Sequence, residues 1–382
     1  MQSISLLIKP ASSLCNLRCQ YCFYHDVSEH RLIPSYGMMP VERLEGIVRQ
    51  AFAESDGPVT FAFQGGEPTL AGLDFYRQLI IFTRKYNKKN KDVFFALQTN
   101  GQVINKEWAD FLAEHRFLVG LSLDGDKAIH DAMRQDANGK GSFNQVMRAV
   151  DFFRKSGVEF NILTVINSHV ARHIEKIYRF YRKNQFDYLQ FIPCLPPLGA
   201  DPKDIAFSLS AERYGQFLKK LFDLWYNDFN QGRYVSIRHF DNLVRMIAGE
   251  QPELCGMNGR CTCQFVIESD GSVYPCDFYV TDEWRLGYAG DQSFEQLSQS
   301  EKAKTFLTQS GSPLDACSEC EWLPLCRGGC RRDRELPGQG SELGNNQFCE
   351  AYKTFFPYAW PRLRQLAMQY KSGQLGGQAN GS

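Results

Sequence analysis

The sequence lacks an excess of either charge. Its 382 residues include 43 Lys plus Arg and 43 Asp plus Glu, which gives a formal net charge of zero. A neutral chain has no general electrostatic attraction for nucleic acid or for an anionic membrane surface. We therefore expect a small molecule or a peptide as its partner, and no nucleic acid or membrane.

Long apolar runs are also lacking at the start of the chain. The first ten residues, MQSISLLIKP, contain an apolar-leaning stretch of only six residues before Lys9, with no basic segment ahead of it. Such a stretch is too short for a membrane span or for the apolar part of a secretory signal. The expected localisation is cytoplasmic.

The 13 cysteines cannot form a closed disulfide framework, because their number is odd. Disulfides are rare in the cytoplasm, where many cysteines more often indicate metal or redox chemistry. Thiols that merely fill a core would be spread along the chain. Here three lie within residues 15–22, nine lie within residues 255–349, and only Cys194 lies between them. This clustering favours metal sites.

The first 193 residues alternate short apolar runs rich in Val, Ile and Phe with longer amphipathic segments, which is typical of repeated βα units. Six strands are predicted, at residues 4–8, 59–63, 93–97, 117–123, 158–166 and 188–192. Ser142 and Gly157 flank one of the predicted helices as N-cap and C-terminal stop. The pattern predicts an α/β fold, a partial (β/α)6 barrel, with a doubly wound sheet as the alternative.

The βα rhythm ends after residue 200, and we place a domain boundary between residues 231 and 232. Beyond it, QFVIES-DG-SVYPCDF predicts a β-hairpin that turns at Asp270 and Gly271. The first domain is expected to span 1–231 and a cysteine-rich second domain 232–371. The tail, 372–382, has few apolar residues to bury and is expected to be disordered.

The first cysteine group, Cys15, Cys19 and Cys22, directly follows the first predicted strand. In a βα barrel this loop lies at the mouth where active sites form. Three thiolates can hold three irons of a cubane cluster, and no fourth cysteine lies within the next 170 residues. A zinc site completed by His25 or His30 is the alternative, although structural zinc sites generally use other spacings.

This C-x₃-C-x₂-C motif, with Tyr21 before its third cysteine, resembles the signature of the radical S-adenosylmethionine (SAM) superfamily over about 195 residues. The resemblance implies a [4Fe-4S] cluster whose open iron binds SAM and whose electron breaks SAM to a 5′-deoxyadenosyl radical. It also implies SAM contacts at positions that could otherwise be packing, turn or surface residues. These are Tyr21, Gly66 in QGGEP, Ser122 in SLDG, Arg134 and Leu195.

A second group of cysteines follows the pattern C-x₅-C-x₉-G-x₄-C and then C-x₂-C-x₅-C-x₃-C, with Cys349 at its end. Zinc ribbons would also use paired cysteines. Behind a radical SAM motif, however, the pattern resembles the SPASM extension, which implies two auxiliary [4Fe-4S] clusters and three in all. The implied ligands of the first are Cys255, Cys261, Cys276 and Cys330, and those of the second are Cys317, Cys320, Cys326 and Cys349. Cys194 and Cys263 remain unassigned.

The resemblance narrows to the anaerobic sulfatase-maturating enzymes. It is carried by FAFQGGEPTLAGL, FALQTNG, GMNGRCTCQFVIESDGSVYPCDFYV and CRGGCRR, together with the first cysteine motif. It implies oxidation of a cysteine or serine in a Cys/Ser-x-Pro-x-Arg segment of a sulfatase to Cα-formylglycine, with reduced flavodoxin or ferredoxin as electron donor. Asp277 matches the catalytic base, and Tyr24 and Gln64 are candidates for contacts near the reacting side chain.

Two other functions remain open at the level of the sequence. A radical SAM enzyme that forms thioether or carbon–carbon cross-links would share the cysteine motifs. A zinc-containing interaction module would share only the cysteine spacing. Asp277 itself could instead be a hairpin residue that hydrogen-bonds its own backbone.

Overall fold

A computed structural model describes residues 1–311, 315–335 and 343–373. From residue 374 onward, the tail expected to be disordered lies outside the described residues. The strands are β1 Ile4–Ile8, β2 Val59–Phe63, β3 Val93–Thr99, β4 Phe117–Ser122, β5 Phe160–Ile166, β6 Tyr188–Pro193, β7 Ser236–Ile237, β8 Val266–Ile267, β9 Ser272–Tyr274 and β10 Gly287–Tyr288.

The helices follow in chain order. They are α1 Phe23–Glu29, α2 Val41–Glu54, α3 Leu73–Tyr86, α4 Lys106–Glu114, α5 Lys127–Asp131, α6 Phe143–Ser156, α7 Ser168–Arg172, α8 Ile174–Lys183, α9 Ala211–Asn230, α10 Arg238–Ile247, α11 Phe294–Ser298, α12 Glu301–Ser310, α13 Asp315–Ser318, α14 Leu323–Cys326 and α15 Cys349–Lys371. In the described part of the chain, no helix combines the length and the apolarity that crossing a membrane requires.

The chain forms two compact units. The first unit comprises Met1–Leu123, His130–Asn161 and Thr262–Leu307. The second comprises Asp124–Ile129, Ile162–Cys261 and the described residues from Thr308 onward. The predicted boundary between residues 231 and 232 remains a prediction.

In the first unit, β1, β2, β3 and β4 pair in that order, and all three pairings are parallel. The register places Ile8 opposite Phe63 and Phe63 opposite Leu97, so these strands end at one edge of the sheet. Their apolar side chains are buried because helices such as α2 and α3 cover the sheet, as a parallel sheet requires. The expected α/β fold is confirmed.

The cysteine-rich segment also contributes to this sheet. The expected hairpin is present as β8 and β9, which are antiparallel, and β10 pairs with β9. Gly271 has φ +90° in the turn, a conformation that favours glycine. A pairing that the sequence did not predict joins this hairpin to the sheet, because β8 pairs in parallel with β1, with Ile8 opposite Ile267.

The second unit contains β5 from Ile162 onward together with β6 and β7, and β5 pairs with β6 and β6 with β7 in parallel. Its long helices α9 and α15 pack together and bury aromatic side chains, including Phe222 and Phe355, whose ring centroids are 5.8 Å apart.

Helix α6 begins and ends where the sequence predicts. Gly157 closes it in the left-handed conformation, with φ +75°. Ser142 occupies the N-cap position, but its side chain does not cap the helix. Its hydroxyl instead donates to the carbonyl of Arg134 at 2.8 Å. Strand β5 starts at Phe160, two residues later than predicted, because the N–H of Val158 still bonds the helix carbonyl of Phe153.

Candidate active site

The loop between β1 and α1 carries Cys15, Cys19 and Cys22, which interact electrostatically with one another. Burial raises the pKa of the Cys15 thiol to about 12, and the nearby Glu67 adds to this rise. The backbone of the loop is held in place: Arg18 N–H donates to Gln135 O at 2.6 Å. The three predicted ligands of the first cluster are therefore brought together on an anchored loop.

The QGGEP segment packs directly under this loop. Gly66 N–H donates to Ser12 O at 2.8 Å, and Glu67 N–H donates to Leu14 O at 2.8 Å. A Cβ atom at Gly66 would lie 2.1 Å from Leu14 O, so only glycine allows this approach. The segment thus does more than end a strand, because it supports the backbone next to Cys15.

Glu67 is a further candidate residue of this site, and it was not predicted from the sequence. Its side chain accepts hydrogen bonds from Thr99 Oγ1 at 2.7 Å and from Asn100 N–H at 2.8 Å. Asn100 in turn donates to Asn16 Oδ1 at 2.8 Å. This buried carboxylate therefore connects the ends of β2 and β3 to the cysteine loop. The feature of the sequence that could have identified Glu67 is its position in the QGGEP motif.

The structure also brings together Tyr21 and Arg134 of the predicted SAM contacts. The guanidinium carbon of Arg134 lies 5.3 Å from the centroid of the Tyr21 ring, and both residues are buried. Ser122 is the last residue of β4 and is also buried. Leu195 lies in the second unit, two residues after β6. Their roles in binding SAM remain predictions.

Asp277 is buried and its two carboxylate oxygens have different partners. Lys9 Nζ forms an ion pair with Oδ1. Gln64 Nε2 donates to Oδ2 at 2.6 Å. In the alternative interpretation, Asp277 would be a loop residue that hydrogen-bonds its own backbone. Its side-chain partners instead lie directly after β1 and β2, far from Asp277 in sequence.

A second buried ion pair adjoins the first. Arg31 Nη1 donates to Glu268 Oε1 at 2.8 Å, and Tyr24 Oη donates to the same oxygen. Tyr24 therefore does not bond Asp277, but its ring lies 3.7 Å from Lys9 Nζ, measured to the ring centroid. Burial and the Glu268 carboxylate raise the pKa of Tyr24 well above its usual value, so its hydroxyl stays protonated.

Three residues of these ion pairs were not predicted from the sequence: Lys9, Arg31 and Glu268. The available signal was weak: Lys9 directly follows an apolar strand, and Glu268 interrupts the apolar hairpin before its turn. Charged residues at strand ends are usually solvated, so local sequence alone does not separate these from surface charges.

Four thiols in the second unit surround a cavity of about 260 Å³. The cavity is lined by the predicted ligand set Cys317, Cys320, Cys326 and Cys349, among other residues. Burial raises the pKa of Cys326 to about 11, and the other three thiols of the set add to this rise. This arrangement fits a [4Fe-4S] cluster in both donor type and number.

Three thiols of the other predicted auxiliary set, Cys255, Cys261 and Cys330, interact electrostatically in the second unit. Burial raises the pKa of Cys330 above its usual range. The fourth, Cys276, lies in the first unit.

The unassigned Cys194 and Cys263 are largely enclosed, which raises their pKa values to about 12 and about 11. Among the described residues, no three His, Cys, Asp or Glu side chains converge on a point that would hold a single metal ion.

The radical SAM superfamily model matches residues 10–181, and a SPASM model described as an iron-sulfur cluster-binding domain matches residues 255–321. A cysteine-type anaerobic sulfatase-maturating enzyme from Clostridium novyi (strain NT) is 53% identical over 96% of this chain and 98% of its own. A serine-type anaerobic sulfatase-maturating enzyme from Bacteroides thetaiotaomicron is 31% identical over 94% of this chain and 90% of its own.

A solved structure described as native anSMEcpe with bound AdoMet and Cp18Cys peptide is 50% identical to this chain. It matches with a TM-score of 0.93 and covers 97% of this chain and 100% of that one. On the strength of these matches over nearly its full length, the chain belongs to the anaerobic sulfatase-maturating enzymes, a family of radical SAM enzymes with a C-terminal SPASM domain.

Proposed function

We propose that the protein oxidises a cysteine in a sulfatase polypeptide to Cα-formylglycine without oxygen. The observation that carries this proposal is the buried carboxylate of Asp277, held at both oxygens beside Cys276, a candidate cluster ligand. The cysteine-type relative is more similar to this chain than the serine-type relative, at 53% against 31% identity. This difference favours cysteine over serine as the target residue.

Eleven cysteines in three sets would hold three [4Fe-4S] clusters. Cys15, Cys19 and Cys22 would hold the cluster that binds SAM, and the two auxiliary sets would be those implied by the SPASM resemblance. The SAM itself would contact Tyr21, Gly66, Ser122, Arg134 and Leu195. When bound, these groups supply a 5′-deoxyadenosyl radical and an acceptor for a second electron.

The residues of the chain act on the substrate thiol. Hydrogen removal from the substrate Cβ leaves a thiol whose proton must be accepted by a base. Asp277 is the base that we propose, since an ionised carboxylate paired with Lys9 keeps free lone pairs for that proton. The loss of one hydrogen atom, one proton and one electron gives a thioaldehyde, which water converts to the aldehyde and sulfide.

The finer aspects of this function are further proposals. Residues 1–231 form the radical SAM core and residues 232–371 the SPASM domain. Reduced flavodoxin or ferredoxin supplies the electron, and the enzyme works in the cytoplasm, where thiols stay reduced.

The test uses a peptide containing Cys-x-Pro-x-Arg, incubated anaerobically with the holoenzyme, SAM and a reductant. We expect an aldehyde that reacts with a hydrazine probe, with release of sulfide. Matched peptides with Ser or Ala in place of the Cys define the target residue, and the Ala peptide should give no aldehyde. A product with an internal thioether or carbon–carbon bridge would reject formylglycine synthesis.

Isotope labelling tests the site of hydrogen removal separately. Deuterium at the peptide Cβ is expected in 5′-deoxyadenosine, whereas deuterium at Cα is not. Transfer from Cα would contradict the proposed reaction.

A further inference from the structure

Lys9 is a buried lysine that takes part in no step of the proposed reaction. Its side chain has no exposed surface, and Nζ pairs with Oδ1 of Asp277. An unpaired ammonium at such a site would be strongly disfavoured, so this pairing fixes both charges together. Lys9 and Asp277 are separated by 268 residues in sequence.

The main chain of Lys9 is fixed relative to the segment that carries Asp277. Lys9 N–H donates to Ile267 O at 2.8 Å, at the end of β8. This strand is paired with β9, and Asp277 follows β9 after only two residues. The two charged side chains therefore start from neighbouring, hydrogen-bonded backbone segments.

The side chain of Lys9 has little freedom to move. A Cβ atom at Gly65 would lie 3.0 Å from both Cβ and Cγ of Lys9, so the glycine leaves just enough space for the lysine stem. Gly65 has φ +117°, which also favours glycine. At the other end, the ring of Tyr24 lies 3.7 Å from Nζ and stabilises the cation.

These contacts constrain the orientation of the Asp277 carboxylate. Lys9 holds Oδ1 and Gln64 holds Oδ2, with its Nε2 at 2.6 Å. Two donors on two different oxygens fix the plane of the carboxylate, and a misplacement of 1 Å at a reacting group can cost roughly 10²-fold in rate.

We propose that Lys9 is a positioning residue that orients the carboxylate of Asp277 for the substrate proton and acts only through Asp277. This inference rests on the proposed function and adds to it a residue that does not touch the substrate. It predicts that loss of Lys9 uncouples SAM cleavage from aldehyde formation.

The test compares Lys9→Met with the wild-type holoenzyme by the ratio of aldehyde to 5′-deoxyadenosine. We expect this ratio to fall by about 10- to 100-fold, while the iron content, the formation of 5′-deoxyadenosine and the KM for the peptide stay near the wild-type values. Lys91→Met is the matched control, because Lys91 Nζ is tied to backbone carbonyls, including Phe52 O at 2.8 Å. The control should keep the wild-type ratio.

A double-variant cycle separates positioning from a general structural role. In an Asp277→Asn background, Lys9→Met should cause no further fall in the aldehyde ratio, because its only route of action is already lost. An additional loss of similar size in that background would overturn the proposal. So would a Lys9→Met enzyme that keeps the wild-type ratio or that loses iron and SAM cleavage together with aldehyde.

Lys9→Gln serves as a second variant if Lys9→Met does not fold, since it keeps a polar group in the site, but its amide ends one bond short of the position of the Lys9 ammonium and so loses the contact with Oδ1. The same fall in ratio is expected, and an unchanged ratio would overturn the proposal. A wild-type enzyme that forms no aldehyde would reject the proposed function itself. Aldehyde from the wild type with an unchanged ratio in the variants would reject only the role of Lys9.

Discussion

Two buried ion pairs lie side by side in the first unit, Lys9 with Asp277 and Arg31 with Glu268. At the scale of single residues, the two ion pairs have different roles in the site. The first includes the carboxylate proposed to meet the substrate. The second holds Tyr24 and so fixes the ring that contacts Lys9 Nζ.

Asp277→Asn tests the proposed base. The amide keeps the shape of the side chain but cannot accept the proton, so aldehyde formation should fall by roughly 10²–10⁴-fold. The iron content and 5′-deoxyadenosine formation should persist. An unchanged aldehyde yield, measured with the same Cys-x-Pro-x-Arg peptide, would exclude Asp277 as the base.

Arg31→Met tests the second ion pair. Among the described residues, it leaves the buried Glu268 carboxylate with the hydroxyl of Tyr24 as its remaining side-chain hydrogen-bond partner, which should lower the free energy of unfolding by about 3–5 kcal/mol. Urea unfolding followed by tryptophan fluorescence would measure this change. Arg77→Met, which breaks an exposed pair with Glu107 and Asp74, is the control and should have little effect. Equal midpoints for the two variants would contradict the argument.

The residues of the site differed in how well sequence could predict them. Asp277 was predicted as the base because a motif surrounds it, and that role stays a prediction; its burial and its two partners were not predicted. Lys9 was missed because its partner is 268 residues away, and no local pattern encodes such a pairing. Tyr24 was predicted near the reacting side chain, and this stays a prediction; the structure shows that its hydroxyl bonds Glu268 and that its ring contacts Lys9 Nζ.

At the scale of elements, the helices and central strands were predictable because their apolar periodicity is strong. Helix α6 lies between Ser142 and Gly157, and β2 spans Val59–Phe63, both as predicted. The parallel pairing of β8 with β1 was not predictable, because β8 has only two residues and its pattern indicates only a hairpin. Short strands take their partners from tertiary packing, which local sequence does not specify.

Gly66→Ala tests the close approach between the QGGEP segment and the cysteine loop. The added methyl group would meet Leu14 O, next to Cys15, and should displace the loop. We expect loss of the iron of one cluster and of SAM cleavage, while the other two clusters remain. Gly46→Ala in α2 is the matched control, since a Cβ there meets no atom within 4 Å. Full SAM cleavage by Gly66→Ala would show that the loop tolerates the shift.

At the scale of the whole molecule, three ligand sets predict about twelve irons per chain after anaerobic reconstitution, four for each cubane. Replacing Cys15, Cys19 and Cys22 together by alanine should remove about a third of the iron and abolish SAM cleavage. Replacing the set Cys317, Cys320, Cys326 and Cys349 should remove a similar amount. Iron and zinc analysis measures both, and zinc in place of iron would contradict the cluster assignment.

The pairing of β1 with β8 also has a consequence for the order in which the molecule is built on the ribosome. Strand β1 ends at Ile8, but its neighbour at Ile267 and the carboxylate of Asp277 are synthesised roughly 13–54 s later at ordinary rates of synthesis. Until then, one edge of β1 lacks its partner strand and Lys9 lacks its counterion. The ion pair between Lys9 and Asp277 is therefore among the last parts of the first unit to be completed as the nascent chain folds.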